Sequence, residues 1–382
     1  MQIFKTITWL LLVLYGGRLV AAPEGFTTLN IGDAAPDFAL PGVDDKRYSL
    51  ASFEQSELLL VIFTCNHCPT AQAYEERIRQ IYQDYRPKGV AIVAISPNDP
   101  LAVRLDELGY TDLSDSLAEM KVRAKEAPFD FPYLYDGETQ KTSLAYGVLA
   151  TPHVFLFDRE RKLRYKGRID DSEVKTVTSH DLRNALDALL AGKAVPVETT
   201  RVFGCSTKWS DKRENARATL AQWDREPVKL SVLSPAQLRE LSSNKTKNYR
   251  LINVWATWCI PCIAELPEFV TMNRMYRGRH FEMITISADD PAEQGKALEI
   301  LQKQKVAARN FLFALDDRDA LFDNLDPQSE GGVPYTVFIA PGGEVIHRQH
   351  GEMDPAKMKR IIADHLGRTY ASRLEPDNEQ DK

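Results

Sequence analysis

The stretch Leu251-Ile252-Asn253-Val254-Trp255-Ala256-Thr257-Trp258-Cys259-Ile260-Pro261-Cys262 decides the reading of this chain. Leu251 to Trp255 is a nearly continuous apolar run, which suits a strand buried on both faces. Two cysteines spaced by two residues follow at once. Beyond them Leu266, Phe269 and Val270 recur at helical spacing, so the pair sits where a strand hands over to a helix. That location has a chemical logic. A helix N-terminus carries partial positive charge and free N–H groups, which favour the thiolate of the first cysteine. A second cysteine one turn into the helix is close enough to close a disulfide, so thiolate attack through a mixed disulfide becomes reversible.

The same plan occurs earlier. Leu58 to Phe63 (LLLVIF) is apolar throughout and ends at Cys65 and Cys68. From Pro69 the period changes: Tyr74, Ile78, Ile81, Tyr82 and Tyr85 share a helical face, and Arg86-Pro87-Lys88-Gly89 stops the helix. Further strands are expected at Val90–Ile95, Tyr133–Tyr135, His153–Phe157 and Leu163–Tyr165, with a closing helix over Ser179–Leu190. The second half offers Leu230–Leu233, Met283–Ile286, Phe311–Leu315, Tyr335–Ile339 and Glu344–Arg348 as strands. Aligned by their first cysteines, the halves are approximate repeats about 194 residues apart. A polar stretch between them reads as a linker, and Ser234-Pro235-Ala236-Gln237 has the order of a capping box.

The 382 residues are 43% hydrophobic and 27% charged, with a net charge of −6. At roughly 150 residues per domain the length suits two or three domains. With no basic excess to neutralise phosphates, nucleic acid is not an expected partner. Lys5, the apolar run Ile7 to Tyr15 and Val20-Ala21-Ala22 have the plan of a secretory signal peptide over residues 1–22. An uncleaved membrane anchor is the alternative, and both send the chain to an oxidising compartment, periplasmic or secreted. Only five cysteines are present. A chain of this size buries a core without disulfide staples, so they point to chemistry. A four-sulfur zinc site is disfavoured, because zinc pairs lie roughly 15–20 residues apart in knuckle turns. Two purely structural disulfides are disfavoured as well, since so small a loop stabilises little.

On the motif Trp255-Ala256-Thr257-Trp258-Cys259-Ile260-Pro261-Cys262 with Glu265-Leu266-Pro267, and on Val333-Pro334-Tyr335-Thr336, the second half resembles the TlpA/ResA-like thioredoxins. These are exported thiol–disulfide oxidoreductases, several of which serve cytochrome c maturation. The resemblance spans about Lys229 to Leu366 and implies a cis-proline at Pro334 that positions the substrate strand. Asn253 departs from thioredoxin itself, which has a buried aspartate there, so the proton-transfer role is unassigned. The first half carries Ile31-Gly32-Asp33 to Pro36-Asp37-Phe38, Thr64-Cys65-Asn66-His67-Cys68-Pro69, Thr151-Pro152-His153, Gly167-Arg168-Ile169-Asp170-Asp171 and Gly204-Cys205-Ser206-Thr207-Lys208-Trp209. Together these resemble the peroxiredoxin-like (redoxin/AhpC-TSA-type) members of the thioredoxin family, over about Asn30 to Trp209. Pro152 is then this half's cis-proline. A peroxiredoxin has Thr or Ser three residues before its peroxidatic cysteine; here Cys65 takes that place before Cys68, which argues for disulfide exchange.

The resulting expectation is an α/β chain of two thioredoxin-like domains, each a central mixed β-sheet flanked by helices. The domains are set at 28–210 and 229–368, joined by a linker at 211–228 and followed by a disordered tail at 369–382. The expected activity is exported thiol–disulfide exchange with protein clients and an electron donor in the membrane or periplasm. It uses redox-active disulfides Cys65–Cys68 and Cys259–Cys262, with no metal or other cofactor. Cys65 and Cys259 are assigned as attacking thiolates, and Cys68 and Cys262 as resolving thiols. Thr151, Pro152, Val333 and Pro334 form the substrate-positioning loops. His67 and Pro261, each before the second cysteine, tune the pairs, the histidine making the first more oxidising. Cys205 is either an inert buried thiol or an additional redox residue. His153, His347 and His350 are read as strand-surface residues. Two alternatives stay open: a thiol peroxidase in the first domain, or a first domain that is a redox-inert module for docking clients.

Overall fold

The computed structural model describes residues 26–127 and 129–373. The signal-peptide reading of residues 1–22 lies outside them, as does the acidic end from Leu374. Among the described residues no helix is long and apolar enough to cross a membrane.

The first domain opens with the hairpin β1 (Ala39–Pro41) and β2 (Arg47–Ser49). It continues with β3 (Leu58–Phe63), α1 (Pro69–Tyr85), β4 (Val90–Ser96), α2 (Leu117–Glu126), β5 (Tyr133–Tyr135), α3 (Lys141–Tyr146), β6 (Ala150–Thr151), β7 (His153–Phe157), β8 (Leu163–Gly167), α4 (Asp181–Leu190) and the short β9 (Cys205–Ser206). Its main sheet has the order β5-β4-β3-β7-β8, with β3 parallel to β4 and antiparallel to β7. Successive side chains of a strand face opposite ways. Accordingly Leu58, Leu60 and Ile62 of β3 join one buried cluster, and Leu59, Val61 and Phe63 join another on the far face. Burial of each such side chain is worth about 1.5–3 kcal/mol, so a strand apolar at every position holds the centre of a sheet covered on both sides.

The second domain follows through α5 (Arg213–Trp223). It comprises β10 (Ser231–Leu233), α6 (Pro235–Ser243), β11 (Tyr249–Trp255), α7 (Ile260–Tyr276), β12 (Phe281–Ser287), α8 (Gln294–Lys303), β13 (Arg309–Phe313), α9 (Arg318–Leu325), β14 (Tyr335–Ile339), β15 (Val345–His350) and α10 (Pro355–Leu366). Its sheet runs β10-β13-β12-β11-β14-β15, again with parallel strands on one side of the central strand and antiparallel strands on the other. The chain is thus an α/β protein of two mixed sheets flanked by helices. Ser234 caps α6 with the reciprocal bonds of a capping box.

Three expectations need correction. The segment 211–228 is no plain linker, because α5 fills it. Only Ala216 and Trp223 of that helix are buried, which leaves too sparse an apolar stripe for periodicity to reveal. Arg277 lies over the Trp223 ring and pairs with Glu226, tying the segment to α7. The tail does not begin as loose chain either: Tyr370–Arg373 is a 3-10 turn, and the Tyr370 ring packs edge-on against Tyr110 of the first domain at 5.2 Å. Finally, His153 is buried inside β7 against Phe155, since both faces of that strand are covered.

The two domains share apolar packing. Val103 and Leu108 of the first belong to one cluster with Phe269, Met272 and Met275 of α7. Around it the Tyr276 hydroxyl donates to Thr111 O at 2.9 Å, and Arg368 pairs with buried Asp112 at 2.6 Å.

Candidate active sites

Strand register, not cysteine spacing, sets the equivalence of the two sites. The Thr151–Pro152 and Val333–Pro334 bonds are both cis. The residue after each proline pairs with the central strand: His153 with Phe63, and Tyr335 with Val254. Counting five places on from Phe63 and Val254 reaches Cys68 and Cys259. Each of these is the N-cap of its long helix, Cys68 accepting from Ala71 N–H and Cys259 from Cys262 N–H. Cys65 therefore matches Ala256, His67 matches Trp258, and Cys262 matches Ala71. The assignment of Cys65 as the first domain's attacking thiolate is corrected on this ground, because the helix terminus stabilises Cys68. His67 is likewise not the counterpart of Pro261: it precedes the helix cap, whereas Pro261 lies inside the first turn.

In the first domain Cys65, Cys68 and Cys205 are thiols gathered around Thr151. The Cys65 Sγ lies 3.1 Å from Thr151 Oγ1, and the Cys68 thiol donates to Thr151 O at 3.3 Å. Short β6 pairs with β9 so that Thr151 faces Cys205, whose N–H donates to Cys68 Sγ at 3.4 Å. Gly204 makes this approach feasible. Its φ is +135°, and a Cβ there would stand 2.1 Å from Thr151 O. Burial alone would push the Cys68 thiol up. Hydrogen bonds from Cys205 and Cys65, the charge of His67 and the Ala71 N–H outweigh it and hold Cys68 well below the usual thiol range. Burial and the neighbouring Cys68 push Cys65 the other way.

His67 is itself buried, with Nδ1 2.5 Å from Asp115 Oδ2. Burial opposes a charged imidazole, but the Asp115 carboxylate prevails and raises the His67 pKa. Asp115 is held low despite burial, chiefly by the His67 charge. Its Oδ1 accepts the Asn66 and His67 N–H groups, and its Oδ2 also accepts Asn98 Nδ2. Cys65, His67 and Asp115 present ligand-type atoms within 4.8 Å of one another. With four donors already on the Asp115 oxygens, the cluster is built as an ion pair that orients the loop before Cys68. Asp115 was not found by sequence reasoning. It lies far along the chain, and no spacing links it to the cysteines.

The second site is more open. Cys259 and Cys262 are joined in a disulfide. Beside them Trp258 is 55% and Ile260 81% exposed, whereas their counterparts His67 and Pro69 are buried. Asp289 accepts the Thr257 N–H and hydroxyl, so a buried carboxylate holds this loop too. One turn below Cys262, buried Glu265 accepts from Asn253 Nδ2 at 3.1 Å and from Met353 N–H at 3.0 Å. Burial raises its pKa. The carboxyl missing at Asn253 is thus supplied from the facing helix, a contact that only the fold creates. The matching place in the first domain holds Tyr74, whose hydroxyl donates to Asp170 at 2.6 Å. His347 is partly buried, and His350 is exposed with its ring 4.8 Å from that of Tyr335.

Comparison with known proteins agrees with this architecture. Residues 31–166 match the AhpC/TSA family model, and residues 224–364 the Redoxin model. A thiol-disulfide oxidoreductase ResA of Bacillus thuringiensis is 27% identical over 169 residues, covering 42% of this chain and 84% of the relative. One from Oceanobacillus iheyensis is 26% identical over 114 residues, covering 30% of this chain and 55% of the relative. Among solved structures, a hypothetical protein of Sinorhizobium meliloti is 37% identical, covering 48% of this chain and 97% of that one, with a TM-score of 0.44. The chain belongs to the thioredoxin-fold redox proteins, carries an AhpC/TSA-type and a redoxin domain in tandem, and is an oxidoreductase.

Proposed function

We propose that the protein is an exported thiol–disulfide oxidoreductase that exchanges dithiols and disulfides with protein clients through two centres. Cys68 and Cys259 are the attacking thiolates. The observation that carries the reading is their shared place at the helix N-cap, opposite a cis-proline loop. There the helix N–H groups stabilise the thiolate that attacks and leaves. Cys65 and Cys262 resolve the mixed disulfides from opposite sides. Pro152 and Pro334 bring Thr151 and Val333 against the reacting sulfurs, while exposed Trp258 and Ile260 offer an apolar rim for an unfolded client. Electrons enter from a membrane or periplasmic donor, and no metal or organic cofactor takes part. Insulin disulfide reduction with dithiothreitol tests the reading. Cys259→Ser removes most of the activity; unchanged rates in both Cys259→Ser and Cys262→Ser would refute a reductase role for the second domain.

A second reading applies to the first domain, favoured by one observation: Cys68 is fully buried. A peroxide reaches so buried a sulfur more readily than a protein disulfide does. Cys68 thiolate would take one peroxide oxygen as sulfenate and release an alcohol or water, and a neighbouring thiol would condense with it, releasing water. Peroxide consumption by the full chain with dithiothreitol, lost in Cys68→Ser, is the test. A redox-inert first domain is excluded if Cys68 forms a trappable mixed disulfide.

A further inference from the structure

We propose that Cys205 is a third redox residue of the first domain, forming a disulfide with Cys68 and serving as the sulfur at which an external dithiol engages this buried centre. The inference rests on the thiol-exchange reading and adds the route by which reducing equivalents reach Cys68.

Geometry comes first. Cys68 has a cysteine on each side: Cys65 precedes it in the chain, and Cys205 is brought to it by the β6–β9 pairing. Cys65 shares a buried cluster with Cys68, Cys205 packs against that cluster, and the Cys205 N–H already touches the Cys68 sulfur at 3.4 Å. Gly204 exists in a backbone conformation that admits this approach and lacks the Cβ that would block it. Access differs among the three. Cys65 and Cys68 are 2% and 0% exposed, while Cys205 is half-buried at the surface. Of the three sulfurs, Cys205 is the one that an incoming thiol meets at the surface.

The chemistry then has a direction. Thiolate attack on a disulfide is favoured at the accessible sulfur and when the departing thiolate is the more stable one. In a Cys68–Cys205 disulfide, attack at Cys205 Sγ expels Cys68 thiolate into the helix N-terminus, where the Ala71 N–H receives it. Attack at the more buried Cys68 would expel the Cys205 thiolate, which burial disfavours and which no helix N-terminus receives. One thiolate of the dithiol bonds to Cys205 Sγ as the Cys68–Cys205 bond breaks. The dithiol's second thiolate then attacks its own sulfur in the mixed disulfide and displaces Cys205 thiolate, which takes up a proton. Two electrons have passed from the dithiol, now a disulfide, to the Cys68 and Cys205 sulfurs. When the disulfide lies between Cys65 and Cys68, Cys205 first attacks Cys68 and releases Cys65 thiolate, which is protonated in its buried site. The rim of this port includes Tyr370, which follows the last helix of the second domain and whose pKa the neighbouring Cys205 helps to raise.

The test uses the full chain carrying Cys259→Ser and Cys262→Ser, so that only the first domain is redox-active. After diamide oxidation, peptide mapping without reductant is expected to show Cys68–Cys205 alongside Cys65–Cys68, and Cys68–Cys205 alone in Cys65→Ser. Reduction of the oxidised protein by dithiothreitol is expected to slow at least tenfold in Cys205→Ser and in Cys205→Ala, the second variant guarding against a substitution artefact. Absence of Cys68–Cys205 in oxidised Cys65→Ser, with unchanged dithiothreitol rates in both Cys205 variants, overturns the proposal. That result leaves the exchange reading intact. The exchange reading fails separately, if Cys68→Ser still forms mixed disulfides with a client peptide.

Discussion

The two domains cap the same helix with a cysteine at the same place, yet their second cysteines lie on opposite sides of it. In the second domain Cys262 is one turn into α7, with Glu265 a further turn below. In the first, Cys65 lies in the loop before α1, Ala71 takes the place of Cys262, and Tyr74 that of Glu265. The surroundings diverge accordingly. Trp258 and Ile260 leave the second site open, while His67, Pro69 and the 204–209 segment close the first. A shared scaffold thus fixes where a thiolate is stabilised, and the partner thiol, the proton-handling group and the access route vary around it. An open site suits protein disulfides, and a closed one suits small oxidants or a relay through a third thiol.

The largest expected effect separates Cys68 from Cys65. In the first domain, Cys68→Ser abolishes mixed-disulfide formation, a loss on the order of a thousandfold or more in rate. Cys65→Ser preserves the attack and makes the mixed disulfide longer-lived. Trapping with a thiol-reactive client peptide reads both. The reverse pattern would restore the cysteine-by-cysteine alignment and break the comparison drawn above.

Asp115 sharpens the same contrast through pH. His67 has a raised pKa in the fold, so its stabilising contribution is full below its unfolded value and is lost as pH rises through the folded one. Asp115 has a lowered pKa, so its contribution is present above the usual carboxylate value and is lost as pH falls through the lowered one. The pair therefore stabilises the first domain most between those limits. Asp115→Asn leaves a buried imidazole without its carboxylate, at a cost of about 3 kcal/mol. Denaturant melts across pH check it: a variant as stable as the parent, with the same pH slope, would show that the pair has no such role.

A third measurement compares potentials. His67 and the hydrogen bonds to Cys68 favour the reduced form of the first centre, which makes its disulfide the better oxidant. Electrons are then expected to run from Cys259/Cys262 to the first domain, with a gap of about 60 mV, a hundredfold in equilibrium constant. Glutathione titration of each centre, the other silenced by serine substitution, gives the gap. Equal potentials would remove the proposed order, and a more reducing first centre would reverse it.

The smallest effect concerns Glu265. Its raised pKa means that the fold favours the neutral carboxyl. This stabilising preference is present below the unfolded carboxylate pKa and lost as pH rises through the folded value. Glu265→Gln is expected to flatten that slope and to stabilise the second domain by about 1 kcal/mol at neutral pH. It should also remove the carboxyl-dependent limb from the pH profile of insulin reduction. An unchanged profile would assign Glu265 to packing alone.

Much of this was legible locally. Runs such as LLLVIF and LINVW marked the central strands, and the tyrosine and isoleucine spacing after Pro69 marked α1, because burial on two faces or on one helical stripe leaves a short-range pattern. Edges were less sharp: β11 begins at Tyr249 and β15 extends to His350, since strand ends are set by neighbours. The cysteine pairs, the proline loops and the repeat itself could be read from the chain.

What only the tertiary structure decided is how the repeat lines up and who stands near whom. Matching one cysteine pair to the other assumed that their order in the chain equals their order around the helix cap. The true register is fixed by pairing of the central strand with the strand beyond the cis-proline, far away in the chain in each domain (Phe63 with His153, Val254 with Tyr335). That pairing sets which backbone N–H groups meet which sulfur, and it carries no local signature. The same holds for Asp115 beneath His67, Glu265 beneath Asn253 and Cys205 beside Cys68. Local physics writes the elements into the sequence, but a thiol's reactivity depends on charges and donors a few ångströms away in space, and those arrive from distant segments.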